Sequence, residues 1–401
     1  MSTRVPVREA GLEEVLADRE PGLVGLRAAL GGELLEELVS GLPSRFRGDA
    51  RVVHLRVKPG TSVQAAVEVA GPAGTRPWLL ACYAPGDAAK AARDAAYAHR
   101  HQLPSVWRPM SRIVLVPAAG DRALRPHGRR LGTPGVRTRP VPGLPRGETT
   151  PLRHNPARRL VAVLESHGER WVLKAHASCG HGDHARRLAG AVPAWAVAPL
   201  AGTSRDGRLV AHRWVRGRPA RPGSDDAAVV AVLRALHGSP PPEGLPRLDD
   251  ERLRAAAVAG VAGLAVFDPE VADFARGLLP SLRRALEATP VVGGRAAPVL
   301  LHGDLSADQV VVHHATAVLL DLDRACVGPA GWDAATWLAG QVAAGVRDDP
   351  LPLPVEPPEP GLVAAASLAR APEPWRRRLP DRGAAAAGLV ALAARDLGME
   401  P

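Results

Sequence analysis

Polar side chains around residue 300 have the types and spacing that phosphate chemistry requires. Asp304 follows an apolar strand and a His-Gly turn, Gln309 lies five residues later, and Asp321 ends the next strand, with Asp323 as a further carboxylate. Because strand ends bring polar groups to one edge, we expect these side chains to converge. Grouped carboxylates repel each other unless a cation sits among them. Hard oxygen ligands suit Mg²⁺, which takes one or two carboxylates together with phosphate oxygens.

Phosphoryl transfer also needs a cation on the nucleotide phosphates, and Lys174 is the natural candidate. It ends the strand WVLK and is one of only three lysines, against 48 arginines. The excess of Ala, Arg, Gly and Pro indicates a GC-rich genome in which Arg was acceptable at almost every basic position. A lysine that persists in such a chain is therefore informative.

Together these motifs resemble the aminoglycoside phosphotransferase family of kinase-like folds. His302-Gly303-Asp304 is similar to the catalytic loop of that family, Asp321 of DLD to its metal-binding aspartate, and Lys174 of WVLK to its ATP lysine. The resemblance covers about residues 150–401. It implies an ATP- and Mg²⁺-dependent transfer to a hydroxyl, in which Asp304 accepts or orients the acceptor proton while Gln309 and Asp321 hold Mg²⁺.

Further segments carry the same resemblance. HRWVRGRPA (212–220) resembles the strand and hinge that cradle adenine, which implies nucleotide contacts from Trp214 and Val215. AVLRALHGS (231–239) resembles the family's helix that ends in Leu-His, and ASLARAPEPWRRRLPD (366–381) resembles the tail of bacterial members.

The chain departs from the family pattern in three places. Gln309 replaces the usual metal-binding Asn, as in maltokinase-like members, and offers the same carbonyl oxygen on a longer stem. The turn HNPARR stands where protein kinases have a Gly-rich loop. No glutamate lies between Glu169 and Glu243 to orient Lys174, so Asp183, nine residues after the lysine, is assigned as the nearby acid.

Two other functions stay open at this stage. A peptide- or protein-modifying Ser/Thr kinase would use the same motifs. A pseudokinase, which binds nucleotide without turnover, is favoured by the missing glutamate and by Gln309, and opposed by the intact Lys174, Asp304 and Asp321.

Several conspicuous residues have structural interpretations. His176, His181 and His184 with Cys179 are interpreted as a polar loop rather than a metal site, because their spacing is irregular. Asp333 is expected to cap a helix or anchor a loop. The arginine run 376–378 is interpreted as a solvated face.

The elements that must position these residues follow a repeated pattern. After a helical start to about residue 45, the β-rich segment 55–69 aligns without a gap on 152–166, and five identities coincide. A turn, a Trp-containing strand and a helix opened by Gly-Asp follow in each copy. In this register Ala81 of the first copy corresponds to Lys174 of the second, which predicts an internal duplication.

The sequence thus predicts an α+β, bilobal protein-kinase-like fold with an additional N-terminal cap that resembles an N-lobe. We expect residues 1–124 to form the degenerate cap, 125–150 a Pro/Gly/Arg-rich linker, 151–220 the N-lobe, and 221–401 the helical C-lobe with the catalytic loop.

Composition sets the remaining limits. The 401 residues are 46% hydrophobic and 23% charged, which is typical of globular proteins and excludes disorder. We expect a cytoplasmic protein, because the chain has no secretory h-region, no apolar run of about 18 residues and only three widely spaced cysteines. Aromatic residues are only 3% and no zinc-finger or RNA-binding motif occurs, so nucleic acid is not an expected partner.

Charge is distributed unevenly along the chain. Residues 221–401 carry a net charge of −6, whereas the remainder carries +16. If the acidic segment LDDER (248–252) lines the cleft mouth, a neutral or cationic acceptor is favoured over an anionic one.

Overall fold

The computed structural model describes residues 12–72, 74–133, 137–288, 297–346, 350–353, 358 and 361–400. In the described part of the N-terminal unit, short helices precede an antiparallel sheet. Its elements are α1 (Leu12–Arg19), α2 (Leu26–Leu30), α3 (Glu33–Ser40), β1 (Asp49–Lys58), β2 (Ser62–Gly71), β3 (Gly74–Tyr83), α4 (Ala88–Arg100), β4 (Val106–Arg108) and β5 (Ile113–Pro117). Their sheet order is β1-β2-β3-β5-β4.

The next unit has the same plan. After α5 (His127–Gly132) come β6 (Glu148–Asn155), β7 (Arg159–Ser166), β8 (Glu169–His176), α6 (His181–Ala191), β9 (Leu200–Thr203) and β10 (Leu209–Arg213). The order of this second sheet is β6-β7-β8-β10-β9. A hairpin, a third strand, a helix and two more strands therefore follow one another in both units.

Strand register shows that Ala81 and Lys174 have equivalent positions in the two sheets, as the sequence predicts. Ala81 pairs with Gln64 across β2 and β3, and Lys174 pairs with Val161 across β7 and β8. Gln64 and Val161 are equivalent in the alignment of the two copies, so Ala81 occupies the place in the first sheet that Lys174 occupies in the second. We propose that the N-terminal unit is a degenerate copy of the N-lobe.

The segment 125–150, predicted as a Pro/Gly/Arg-rich linker, contains regular structure. It contains α5, and β6 begins within it at Glu148. Leu131, Val141 and Leu144 are buried against the core of the second sheet. These few apolar residues cover one face of the N-lobe. They show no periodicity among the many Pro and Gly residues, so the sequence did not indicate their burial.

The C-lobe is helical around short strand pairs. Its described elements are β11 (Arg218–Pro219), α7 (Asp226–His237), α8 (Asp250–Ala265), α9 (Pro269–Ala288), β12 (Val299–Leu301), β13 (Val310–His313), β14 (Thr316–Leu319), β15 (Cys326–Gly328), α10 (Gly331–Ala343), α11 (Leu362–Arg370), α12 (Glu373–Arg376) and α13 (Arg382–Asp396). β13 pairs with β14 and β12 with β15. The predicted α+β bilobal arrangement is confirmed.

A continuous hydrophobic core joins the N-terminal unit to the C-lobe. Buried side chains of α2 and α3, such as Leu26 and Leu38, belong to the same cluster as Leu253 of α8 and Leu389 of α13. The cap is therefore packed against the helical lobe and is not a detached module. Among the described helices, none is both long and apolar enough to cross a membrane.

Gly147 offers a test of how tightly the N-lobe hairpin closes. A Cβ at this position would lie 2.2 Å from the Glu165 carbonyl oxygen, so the backbone would have to shift. We expect Gly147→Ala to lower the free energy of unfolding by about 1–3 kcal/mol. The exposed Gly190 of α6 has no heavy atom within 4 Å of its ideal Cβ, so Gly190→Ala should be neutral or stabilise by up to about 1 kcal/mol. Thermal denaturation of both variants checks this, and equal losses would contradict it.

Candidate active site

The catalytic loop is held by one buried carboxylate. Asp333, in the first turn of α10, is fully buried and accepts hydrogen bonds from the backbone N–H groups of His302 and Gly303, each at 2.9 Å. Nε2 of His237, at the end of α7, lies 3.0 Å from the same carboxylate. Asp333 thus anchors the loop that carries Asp304.

Gly303 and His302 fix the path of this loop. Gly303 has φ of 83°, and a Cβ there would lie 2.2 Å from the carbonyl oxygen of Arg324. Only glycine combines this φ with such a close approach at little cost. Nε2 of His302 lies 2.8 Å from the carbonyl oxygen of Leu320, the residue before Asp321. The loop is therefore tied directly to the strand end that carries the second candidate carboxylate.

Asp304 is paired with two arginines that the sequence motifs did not indicate. Its Oδ1 accepts a hydrogen bond from Arg370, the buried last residue of α11, and its Oδ2 lies 3.2 Å from Nη1 of Arg324. Burial by itself would lower the pKa of Arg370, but Asp304 and Glu373 hold it above its usual range. The guanidinium therefore stays charged and fixes the orientation of the Asp304 carboxylate.

Asp321 lies at the contact between the lobes. Its Oδ1 accepts hydrogen bonds from Nζ of Lys174 and Nη1 of Arg159, both at 2.9 Å. Arg159 also binds Asp323 at 2.7 Å. Burial would raise the pKa of Asp321, but Lys174 and Arg159 hold it below its usual value despite the charge of Asp323. Asp321 has φ of 58°, a left-handed conformation of the kind that often occurs at functional sites.

Gln309 lies next to the segment that carries Asp321. The backbone carbonyl of Gln309 accepts the N–H of Leu320 at 2.8 Å, which places the glutamine beside the residue before Asp321. Within the described residues, its Oε1 is buried without a hydrogen-bond partner. An unpaired amide oxygen is a hard ligand of the kind that Mg²⁺ prefers, and metal binding by Gln309 and Asp321 stays a prediction.

The structure corrects the assignment of Asp183. Lys174 pairs with Asp321 and, at 3.4 Å, with Asp323, whereas Asp183 pairs with Arg186 on the solvent side of α6. The side chain of Asp183 is 61% exposed. A short acid in the first turn of α6 is satisfied locally by the arginine three residues later, so it does not reach the buried lysine.

Trp214 and Val215 lie in the connection between β10 and β11, where the lobes join. The N–H of Trp214 donates to the carbonyl of Arg170 at 3.0 Å, and the guanidinium of Arg170 lies 5.1 Å from the indole ring centroid. The Trp214 amide is therefore engaged by the sheet. The position of both residues is that expected of a hinge, and adenine binding by them stays a prediction.

The turn HNPARR is held from the N-terminal unit. Oδ2 of the buried Asp121 accepts the N–H of Ala157 at 2.7 Å and lies 2.9 Å from Nε2 of His154. The N–H of Ala157 is therefore already bonded within the protein, and the turn is fixed to the N-terminal unit.

The histidine-rich segment packs around Asp323. The rings of His176 and His181 stack with centroids 3.7 Å apart, and Nε2 of His184 lies 2.9 Å from the Leu322 carbonyl oxygen. Burial lowers the pKa of His176 to about 3, so this ring is neutral. His176, His181 and Asp323 are close enough to share a metal, but Arg159 and Lys174 already neutralise Asp323, which favours the packing interpretation.

A cavity of about 530 Å³ opens beside Asp304, and its walls do not have the expected charge. Leu248 and Arg252 of the segment LDDER line it, whereas the acids of that segment do not. Asp249 instead caps α8 by accepting the N–H of Arg252 at 2.8 Å. The prediction of a neutral or cationic acceptor rested on the net charge of the whole lobe, and the acids of LDDER do not support it at this cavity.

The residues that sequence reasoning missed are Arg159, Arg324 and Arg370. Arg159 could have been found, because it lies two residues before Val161, the partner of Lys174, on the same strand. Residues two apart share one face of a strand. Arg370 reaches Asp304 from a helix 66 residues later, which no local pattern reveals. Arg376, expected on a solvated face, is half-buried and lines the cavity.

Asp333 supplies a prediction about loop anchoring. Asp333→Asn replaces one acceptor oxygen by a donor that faces backbone N–H groups, so we expect a loss of about 2–4 kcal/mol in the free energy of unfolding. Asp273→Asn is the control, because Asp273 is exposed and pairs only at the surface with Arg276; its effect should stay within about 0.5 kcal/mol. Denaturant unfolding measures both, and comparable losses would argue against the anchoring role.

Solved structures with partial similarity to this chain include the following three. An aminoglycoside phosphotransferase, APH(4)-Ia, in its apo form matches at 16% identity over 62% of this chain and 94% of its own, with a TM-score of 0.46. The choline kinase of Cryptosporidium parvum Iowa II matches at 11% over 62% and 88%, with a TM-score of 0.43. A choline/ethanolamine kinase family protein from Mesorhizobium loti matches at 14% over 63% and 92%, with a TM-score of 0.40.

Sequence comparison gives the family. No match to the chain was found among curated proteins. The model of the phosphotransferase enzyme family matches residues 141–356, which is more than half of the chain and includes Lys174, Asp304 and Asp321. The chain therefore belongs to the phosphotransferase enzyme family.

Proposed function

We propose that this protein transfers the γ-phosphoryl group of ATP, with Mg²⁺, to a hydroxyl group of a small molecule. The observation that carries the proposal is the joining of two motifs at one cleft. The Asp304 loop is bonded to the residue before Asp321 through His302, and Asp321 is bonded to Lys174. A candidate base, a metal-binding carboxylate and a phosphate-binding cation are thus held together by direct contacts.

Each residue has a role in this reaction. Asp304, oriented by Arg370, would accept or orient the proton of the attacking hydroxyl. The oxygen of that hydroxyl would bond to the γ-phosphorus while the bond from this phosphorus to ADP breaks. Lys174 and Arg159 would pair with the nucleotide phosphates. Asp321 and Gln309 would hold Mg²⁺, which neutralises charge on the transferred phosphoryl group, and Gln309 takes this place as the maltokinase-like loop implies.

The size of the cavity favours a small molecule over a peptide or protein acceptor. At about 530 Å³, the space beside Asp304 lies in the range of small-molecule sites, roughly 300–1,000 Å³. Its walls come from the catalytic loop, from the segment before α8 and from α11 and α12. Enclosure by several elements suits a compact acceptor.

A pseudokinase is the second candidate, and one observation favours it. Lys174 and Arg159 together balance the charges of Asp321 and Asp323. Nucleotide and metal would have to exchange with these ion pairs before transfer. A protein that stays in the paired state would bind nucleotide weakly and would not turn over.

Substitution of the two aspartates separates catalysis from binding. We expect Asp304→Asn to lower phosphate transfer about 100-fold or more, because a positioned base is lost, while Mg-AMP-PNP binding stays near the wild-type value. Asp321→Asn should weaken the Mg²⁺-dependent part of that binding as well. Nucleotide binding is measured by thermal shift, and turnover by ATP consumption with and without a panel of hydroxyl compounds.

Asp308→Asn is the matched control on the same loop, since Asp308 is exposed and bonds to Ser306. It should keep turnover close to the wild-type rate. Near wild-type turnover in Asp304→Asn would overturn the assignment of the base. Wild-type protein that binds Mg-AMP-PNP but consumes no ATP with any acceptor would favour the pseudokinase.

A further inference from the structure

The cavity beside Asp304 is lined by more cations than carboxylates. Among the described residues, its walls carry five arginines against three acids; these are Arg247, Arg252, Arg324, Arg370 and Arg376, and Asp304, Asp323 and Glu373. The cations come from the segment before α8, from α8, from the residue after DLD, and from α11 and α12. An excess of positive charge therefore faces the cavity from several sides.

The carboxylates are already compensated by other partners. Asp304 pairs with Arg370 and Arg324, and Glu373 lies 3.7 Å from Arg370. Asp323 is held by the cations of the N-lobe. What remains on the cavity wall is an excess of positive charge.

The remaining cations are Arg247, Arg252 and Arg376. Among the ion pairs of the described residues, none involves these three side chains. Arg252 donates to the backbone carbonyl of Arg247 at 2.6 Å, which brings the two residues together at one wall. A guanidinium presents several N–H donors in a planar fork that matches carboxylate and phosphate oxygens.

Positive charge continues from the cavity toward the cap. Burial lowers the pKa of Arg376; Glu373 opposes this, and the neighbouring Arg158, Arg56 and Arg324 lower it further. Arg56 belongs to β1 of the N-terminal unit, and Arg158 to the turn HNPARR. The field at this wall is therefore set by all three units, and none of these neighbours removes the excess charge.

Resting on the proposed function, we infer that the hydroxyl acceptor carries an anionic group, a carboxylate or a phosphate. The anionic group binds at Arg247, Arg252 and Arg376, and the hydroxyl is presented to Asp304. Binding of the anion satisfies the guanidinium donors and neutralises their charge in a partly enclosed space, where charge-assisted hydrogen bonds are strong.

The nucleotide does not account for these arginines. Its proposed phosphate ligands, Lys174 and Arg159, lie on the N-lobe side of Asp321 and Asp323 and do not line the cavity. The three arginines instead share the cavity with Asp304, where the acceptor hydroxyl must lie. Their charge therefore serves the acceptor.

A series of three-carbon alcohols tests which ligand charge the cavity prefers. These compounds are small, so their binding depends little on the shape of the cavity. Binding of glycerol 3-phosphate, glycerate, glycerol and 2-amino-1,3-propanediol to the Mg-AMP-PNP complex is measured by calorimetry at low and high salt. We expect both anions to bind at least about tenfold more tightly than the neutral and cationic compounds. High salt should reduce this preference.

Paired substitutions assign the effect to residues. Arg247→Gln with Arg252→Gln, both at exposed positions, should remove the preference for anions and leave Mg-AMP-PNP affinity unchanged. The control removes the same charge at Arg276 and Arg283 of α9, which are exposed and outside the cavity, and should keep the preference.

The outcomes separate this inference from the proposed function. If Mg-AMP-PNP does not bind, the proposed function fails. If it binds but the series shows no preference for anions, or the cavity pair behaves like the α9 pair, the anionic acceptor is wrong and the phosphotransferase proposal stands.

Discussion

Two half-buried carboxylates held by two cations connect the lobes of this protein. Asp321 and Asp323 belong to the C-lobe, whereas Lys174 and Arg159 belong to the N-lobe sheet. Charges removed from water are stable only when they are paired in good geometry. This pairing constrains the position of β7 and β8 over the loop that carries Asp304.

The N-terminal unit has a place in this arrangement although it lacks the lysine. Asp121, just after β5, bonds to the turn between β6 and β7, and the unit's helices share a hydrophobic core with the C-lobe. The unit therefore supports the N-lobe from two sides: it fixes the turn between β6 and β7 through Asp121, and it packs on the helical lobe.

Much of the site could be predicted because its signals are local. A strand followed by HGD, a strand ending in DLD, and a lysine at the end of an apolar strand each place one group within a short segment, and strand pairing brings the segments together. The repeated order of strands and helix was predictable for the same reason, since hairpins have short-range register. The partner of Lys174 was not predicted. Without a glutamate, Asp183 was the acid nearest in sequence, but α6 exposes it to solvent, and the lysine pairs with Asp321 instead.

The charge of the cavity beside Asp304 could not be predicted from the sequence. The C-lobe is acidic over its sequence, yet an acid affects a cleft only if its carboxylate faces that cleft without a closer partner. Asp249 caps the N-terminus of α8, Asp304 and Glu373 pair with Arg370, and Asp323 pairs with Arg159. Each of these pairings is set by tertiary packing, so a sum over the sequence counts charges that the fold has already neutralised. A ligand is affected by the charges that the fold leaves uncompensated, and in this cavity the uncompensated charge is positive.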